Sequence, residues 1–213
     1  MIWFTSDLHL GHTRVLDFAG RPWNTIDEMN DALIASINAR VAPTDTLYVL
    51  GDYSFKINLE TAYAMRQKIN CQDVHLVPGN HDKDWTRPEV ANAFTVEPMI
   101  TTIKVHDGRQ KIVLSHFPLA DWPSMRRVSW HLHGHIHSSR GGYNAFNLRQ
   151  NVMRYDVGVD ANAYAPISLD EISEWFGVVD EPSGRIRWPY WVNVTADPEL
   201  DEELREWRDS NAN

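Results

Sequence analysis

The sequence predicts an α/β fold in which a core of β-sheet is flanked by helices. Two observations predict this class. Short apolar runs alternate with segments of helical periodicity over residues 1–175. Five of these runs are followed, at their carboxyl ends, by aspartate, asparagine or histidine. Because loops at the carboxyl ends of strands converge on one crevice in α/β proteins, we expect a single site there.

The length of 213 residues, with 43% hydrophobic residues, fits one well-packed domain. We assign residues 1–196 to this domain and residues 197–213 to an acidic C-terminal helix. The helix is predicted from Asp197-Pro198, and it carries seven acidic side chains against two arginines. We expect it to pack on the domain or on a second copy of the chain, as a homodimer.

The composition also restricts the cellular compartment and the binding partners that we expect for this protein. A single cysteine, Cys71, excludes a disulfide framework and fits a reducing compartment. No stretch approaches the ~20 apolar residues of a membrane span, and the chain opens without a basic, signal-like segment. We therefore expect a cytoplasmic protein with no membrane partner. The net charge of −9 argues against a broad basic surface for long nucleic acid.

The first half of the chain is predicted to contain three strands and two helices. Residues 2–6 form the first strand. Thr25 and Glu28 form a capping box that opens a helix with apolar residues at every fourth position. The next strands are residues 46–50 and 74–77, with a helix over 59–69 between them.

The second half is predicted to begin with a hairpin, residues 100–105 and 111–115, around a turn at Asp107-Gly108. The elements expected after it are a strand over 128–133, a polar loop over 138–150, a strand over 151–159 and a helix from 168 to 176.

Residues 131–137 contain four histidines at every second position. In an extended segment such residues share one face, so the spacing predicts clustered imidazoles, the commonest metal ligands. The alternative is a solvated polar edge strand. Ligand-type residues at the other strand ends favour a metal site. With the last two histidines of this run, the candidate ligands are Asp7, His9, Asp52, Asn80, His116, His135 and His137.

The same blocks occur in an order that resembles the calcineurin-like metallophosphoesterases. The motifs are Asp7-x-His9, Gly51-Asp52, Gly79-Asn80-His81-Asp82, His116 and Gly134-His135-Ile136-His137. The resemblance covers residues 1–175 and implies a metallophosphoesterase-type layered fold. It is closer to small bacterial and phage phosphoesterases than to protein phosphatases, which continue Gly-Asp with Asp-Arg-Gly where this chain has Tyr53-Ser54-Phe55.

The resemblance implies two divalent transition-metal ions. It assigns one ion to Asp7, His9, Asp52 and His137, and the other to Asp52, Asn80, His116 and His135. The nitrogen and oxygen ligands suit manganese, our first choice, with Fe, Zn or Ni as alternatives. Asp52 would bridge the ions, and a hydroxide held between them would attack phosphorus.

Three further residues have predicted catalytic roles. The resemblance implies that His81 is the general acid for the leaving oxygen. Asp82 is expected either to orient His81, to start a helix or to face solvent. His12 is expected either to line the site or to lie on the surface. His131 and His133 are expected to support the site or the fold. Five arginines are either phosphate clamps or surface charges: Arg14, Arg21, Arg126, Arg127 and Arg140.

The leading prediction for function is hydrolysis of a phosphodiester or phosphomonoester in a small, nucleotide-like substrate. One alternative is a nuclease acting on DNA or RNA ends, similar to the phosphoesterase subunit of DNA-break repair. A second is a non-catalytic metal-binding interaction module, as in the retromer subunit that resembles this fold.

Overall fold

The computed structural model describes residues 1–139 and 142–177. The chain divides into two compact units, Met1–Glu171 and Ile172–Asn213. Of the second unit, only the end of one helix and the turn after it are described. The predicted boundary at residue 196, the acidic helix over 197–213 and the side chain of Arg140 lie outside the described residues, and the first two stay predictions.

The described helices and strands follow one another in a mixed α/β order. They are β1 (Ile2–Thr5), α1 (Val15–Phe18), α2 (Ile26–Arg40), β2 (Thr46–Val49), α3 (Leu59–Gln67), β3 (Asp73–Leu76), β4 (Thr95–Val96), β5 (Ile100–Val105), β6 (Gln110–Ser115), β7 (Trp130–His133), α4 (Gly142–Arg149), β8 (Arg154–Asp156), β9 (Ile167–Ser168) and α5 (Leu169–Trp175).

Two sheets organise the first unit. One has the order β4-β3-β2-β1-β9, in which β1 to β4 run parallel and β9 runs antiparallel to β1. The other has the order β5-β6-β7-β8, a hairpin extended by two parallel pairings. This arrangement confirms the predicted α/β class. It also directs the carboxyl ends of β1, β2 and β3 to the same edge of the first sheet.

The predicted capping box starts α2. Thr25 Oγ1 accepts the Glu28 N–H at 3.2 Å, and Glu28 Oε2 accepts the Thr25 N–H at 3.3 Å. Met29, Leu33 and Ile37 are buried in the main apolar cluster, as their four-residue spacing predicts. The helix therefore packs into the main apolar cluster through one apolar stripe.

Two predictions for the second half were wrong. The segment predicted as a polar loop over 138–150 contains α4, and the strand predicted over 151–159 shortens to β8. Asn144, which is buried in α4, accounts for both differences. Its side chain accepts the Asp156 N–H at 2.6 Å and donates to the Asp156 carbonyl at 3.0 Å. This tertiary pairing holds the helix against the end of β8.

Among the described helices, none is both long and apolar enough to cross a membrane.

Candidate metal centre

The seven predicted ligands lie in loops that follow strands, and the backbone of these loops is unusual. Five of the seven have positive φ angles between 49° and 75°: Asp7, His9, Asp52, His135 and His137. Non-glycine residues rarely adopt this left-handed region, and such conformations concentrate at functional sites. The loops thus turn sharply after the strands, and they bring the seven side chains together.

Asp52 lies at the middle of this cluster. Its Oδ2 is 3.4 Å from His9 Nε2 and 3.5 Å from His116 Nε2. Its Oδ1 accepts the backbone N–H of His81 at 3.0 Å. One carboxylate therefore faces histidines from two different strand ends.

Histidine nitrogens face each other in two pairs. His9 Nε2 lies 3.2 Å from His137 Nε2, and His116 Nε2 lies 3.2 Å from His135 Nδ1. The Nδ1–H of His116 donates to the Leu50 carbonyl at 2.9 Å, so Nε2 of His116 presents a lone pair. Asn80 Oδ1 lies 3.0 Å from the same Nε2. Lone pairs gathered at these distances fit divalent cations.

Asp7 contributes a fully buried carboxylate. Burial raises its pKa to about 7, against a smaller lowering by His116 and His137. The N–H of His135 donates to both of its oxygens, at 3.1 and 2.9 Å. A buried carboxylate of this kind needs a nearby cation to stay charged at neutral pH, which again fits a metal ion.

Side-chain atoms in two groups lie close enough to hold an ion. Asp7, His9 and His137 form one group, and Asp7, Asp52 and His116 form the other, with all ligand atoms of a group within 4.8 Å of one another. Asp7 belongs to both groups, whereas the resemblance places it on one ion only. The chain therefore offers a second acidic group shared between the two positions.

His9 is buried in the neutral form. Burial, together with a smaller effect of the neighbouring His137, lowers its pKa to about 2. A neutral imidazole keeps its lone pair, as a metal ligand must. His9 Nδ1 is buried and has no hydrogen-bond partner among the described residues.

Two glycines allow the ligand loops to approach each other. A Cβ on Gly134 would collide with Ser6 Oγ and Asp7 Oδ2, and a Cβ on Gly79 would collide with Asp52 Oδ1. Because no other residue lacks a Cβ, these positions require glycine while the aspartates keep their places.

The three predicted catalytic residues lie at or near the cluster. The His81 ring packs 4.0 Å from the Phe55 ring and 5.6 Å from the His9 ring, measured between centroids. The His12 ring is 5.4 Å from His9 and 4.8 Å from Phe55. Burial lowers the His12 pKa, and its Nδ1 has no hydrogen-bond partner among the described residues.

Asp82 has a different environment from the one expected. Its Oδ2 accepts the N–H groups of Asp52 and Gly79, each at 2.8 Å, and its Oδ1 accepts the Tyr53 N–H at 2.9 Å. Burial raises its pKa against these hydrogen bonds. With both oxygens bonded to backbone, the carboxylate joins two ligand loops rather than orienting His81.

The four alternating histidines do not share one face, so that prediction was wrong. β7 ends at His133, and the left-handed residues His135 and His137 redirect the chain toward the cluster. His131 and His133 are fully buried, and burial lowers their pKa values to about 4 and 3. His131 Nδ1 donates to the Val113 carbonyl at 3.1 Å, a structural contact.

Sequence reasoning missed Asp160, which contacts the cluster. Asp160 Oδ2 accepts a hydrogen bond from His137 Nδ1 at 2.7 Å, and Asp160 also pairs with Arg21. Arg21 is buried, so both interpretations of it, as a phosphate clamp and as a surface charge, were wrong. The other described arginines of that group, Arg14, Arg126 and Arg127, are exposed.

Comparison with known proteins gives the class of the fold and site. The family model for calcineurin-like phosphoesterases matches residues 1–139. An uncharacterised protein of Methanocaldococcus jannaschii is 28% identical over 173 residues, which cover 80% of this chain and 88% of that protein. The gene 66 protein of Mycobacterium phage L5 is 27% identical over 207 residues, covering 85% and 97%.

A solved structure has the same fold. A protein of unknown function from Aquifex aeolicus superposes with a TM-score of 0.65 and 26% identity, covering 82% of this chain and 98% of that one. The chain belongs to the calcineurin-like phosphoesterase family, as its motifs predict. Membership implies metal-dependent hydrolysis of a phosphoester, for which the cluster offers the metal ligands.

Proposed function

We propose that this chain is a dinuclear-metal phosphoesterase that cleaves a phosphodiester or phosphomonoester in a small, nucleotide-like molecule. The observation that carries the proposal is the position of Asp52, whose Oδ2 faces His9 and His116 from two strand ends. A carboxylate shared in this way can hold two ions at the spacing of about 3.5–4 Å that suits displacement at phosphorus.

Two sets of side chains would hold the ions. Asp7, His9, Asp52 and His137 would hold the first, and Asp52, Asn80, His116 and His135 the second. Manganese is our first choice, with Fe, Zn or Ni as alternatives for this nitrogen and oxygen set. Bound ions of this kind neutralise phosphoryl charge and lower the pKa of water, so that hydroxide is available at neutral pH. Asn80, a neutral ligand, leaves the site positively charged for a phosphate group.

Proton transfer is assigned to His81. Its backbone N–H bonds to Asp52 Oδ1, and its ring packs against Phe55, so the side chain is held beside the proposed ions. From there it would donate a proton to the leaving oxygen. His12, whose ring lies next to His9, would line the same pocket and contact the substrate.

The surface beside the cluster favours a substrate that carries a flat organic group. Phe18 is 59% exposed, and its ring stands edge-on to His137 at 5.4 Å and lies 5.8 Å from His12. A phosphate held at the metals would bring its organic group close to this ring. Stacking on an aromatic side chain contributes about 1–3 kcal/mol per base, which favours a nucleobase or another planar group.

The experiment is a screen of metal against substrate. Metal-free protein is loaded with Mn²⁺, Zn²⁺, Ni²⁺ or Fe²⁺ and assayed on bis(p-nitrophenyl) phosphate, p-nitrophenyl phosphate and single-stranded DNA. We expect turnover of a small ester in the wild type and its loss in Asp52→Asn. Cleavage of DNA in preference to both small esters would favour the nuclease, and metal binding without any turnover would favour the non-catalytic module.

A further inference from the structure

We propose that Arg21 and Asp160 form a brace that positions His137 for metal binding. The inference rests on the proposed function, because it takes His137 as a metal ligand. Neither residue would itself touch the metal or the substrate. Both act through His137, and both are therefore positioning residues.

Asp160 joins the other two side chains. Its Oδ2 accepts the hydrogen bond from His137 Nδ1 at 2.7 Å. Arg21 Nε donates to Oδ1 and Arg21 Nη2 donates to Oδ2, each at 2.9 Å. This is the paired geometry in which a guanidinium fixes a carboxylate in orientation as well as in position.

The brace is shielded from water. The side chain of Arg21 is completely buried, and that of Asp160 is 4% exposed. A buried ion pair is retained only when its remaining hydrogen bonds are satisfied, and here they are.

The same guanidinium also holds the opposite loop. Arg21 Nη2 donates to the Asp7 carbonyl at 2.6 Å, and Nη1 donates to the Leu8 carbonyl at 3.0 Å. These carbonyls lie in the loop after β1 that carries the ligands Asp7 and His9. One side chain thus sets the spacing between that loop and His137.

The brace also selects the ring nitrogen of His137 that binds metal. Because Nδ1 donates its hydrogen to Asp160, the lone pair is on Nε2, which lies 3.2 Å from His9 Nε2. The His137 ring also packs against the rings of His9 and Phe18, at 5.0 and 5.4 Å between centroids. Ring packing does not distinguish the two nitrogens, so the hydrogen bond to Asp160 decides which of them faces His9.

The test is metal binding by Asp160→Asn and Arg21→Lys, measured by calorimetric titration of metal-free protein with Mn²⁺ or Zn²⁺. Loss of such a supporting partner lowers metal affinity by about 10- to 100-fold. We expect this loss of affinity for the ion that His137 would hold, with the affinity for the other ion unchanged. Arg21→Lys keeps the charge but loses the paired geometry, so we expect it to weaken the same ion.

Asp45→Asn is the matched control. Asp45 also accepts hydrogen bonds from a cation and from backbone, namely the terminal amine and the Ala42 N–H, but it precedes β2, at the opposite end of the strand from Asp52. Circular dichroism of each metal-free variant measures folding separately. A folded Asp160→Asn with wild-type affinity for both ions, or with both weakened equally, would overturn the brace. Failure of the proposed function would instead appear in the wild type, as an absence of metal binding.

Discussion

Oδ2 of Asp52 lies 3.4 Å from Nε2 of His9 while its Oδ1 accepts the N–H of His81 at 3.0 Å. The same Oδ2 is 3.5 Å from His116 Nε2. The two oxygens therefore have different contacts. Oδ1 is held by a backbone N–H, and Oδ2 faces two imidazoles. A carboxylate in this position can serve two ions without changing its conformation.

The first prediction concerns the number of metal ions. Asp52→Asn should impair both positions, because it removes the charge of the shared ligand. His137→Ala should weaken mainly the first ion, and His116→Ala mainly the second. Elemental analysis after equilibration with Mn²⁺ or Zn²⁺ measures the stoichiometry. A wild-type protein that holds at most one ion at saturation contradicts the dinuclear proposal.

A second prediction tests the close approach at Gly134. Gly134→Ala places a Cβ against Ser6 Oγ and Asp7 Oδ2, so the ligand loops must separate. We expect a loss of about 1–3 kcal/mol in the free energy of unfolding, as for overpacking elsewhere, together with weaker metal binding. Gly20→Ala is the control for metal binding, because a Cβ there meets nothing within 4 Å. The left-handed φ of 60° at Gly20 makes that substitution destabilising too, so metal affinity is the quantity compared. Equal metal affinities in the two variants would show that the contact at Gly134 is unimportant.

The sequence predicted β1, β2, β3, α2 and the β5–β6 hairpin because each has a local cause. Alternating or continuous apolar runs and a capping box act within a few residues. α4 was missed because its residues, among them Gly142, Tyr143 and Asn144, are weak helix formers. The helix depends on the bonds of Asn144 to Asp156, which no local pattern reveals.

The candidate site likewise has features that the sequence predicts and features that depend on the folded chain. Ligand-type residues at strand ends could be recognised from residue type and position alone. The partnership of Arg21 with Asp160 could not, because 139 residues separate them along the chain and the pair forms only in the folded protein. The change of direction at His135 was also hidden, since its positive φ depends on the loop closing onto Asp7.

The third prediction concerns pH and His131. Its pKa is about 4 in the folded chain, lowered by burial, against about 6.5 when unfolded. Between these values the unfolded chain binds more protons, so stability falls as pH decreases from 6.5 towards 4. The slope approaches about 1.4 kcal/mol per pH unit as the unfolded histidine becomes fully protonated below pH 6.5, so His131 accounts for a loss of about 1.5 kcal/mol between pH 6.5 and 5.

His131→Gln removes this titrating group. Urea unfolding of metal-free protein at pH 6.5 and pH 5 should show a smaller decrease for the variant than for the wild type, whatever its stability at neutral pH. Other titrating groups are common to both proteins and cancel in the difference. Equal decreases would show that His131 does not stay neutral in the folded chain.

The fourth prediction concerns Phe18 and substrate shape. Phe18→Ala should raise KM for aryl or nucleoside phosphoesters by about 5- to 150-fold, the equivalent of about 1–3 kcal/mol of stacking. It should leave KM for a methyl phosphoester unchanged, because that substrate has no ring. Met99→Ala, which removes a side chain that is 60% exposed, controls for the loss of surface apolar area. A similar rise for the methyl and aryl esters would exclude stacking on Phe18.

The last prediction tests His81 as the general acid. General-acid catalysis contributes about 10²–10⁴-fold, but only when the leaving oxygen needs a proton. p-Nitrophenolate leaves as a stable anion, whereas the alkoxide of a ribose does not. His81→Ala should therefore slow a nucleoside phosphodiester far more than a p-nitrophenyl ester, with bound metal unchanged. If His81 instead only supported its neighbours Asn80 and Asp52, both esters would slow alike as the ligands shifted. Parallel kinetics on the two esters, with bound metal measured in the same samples, separate a missing proton from a displaced ligand.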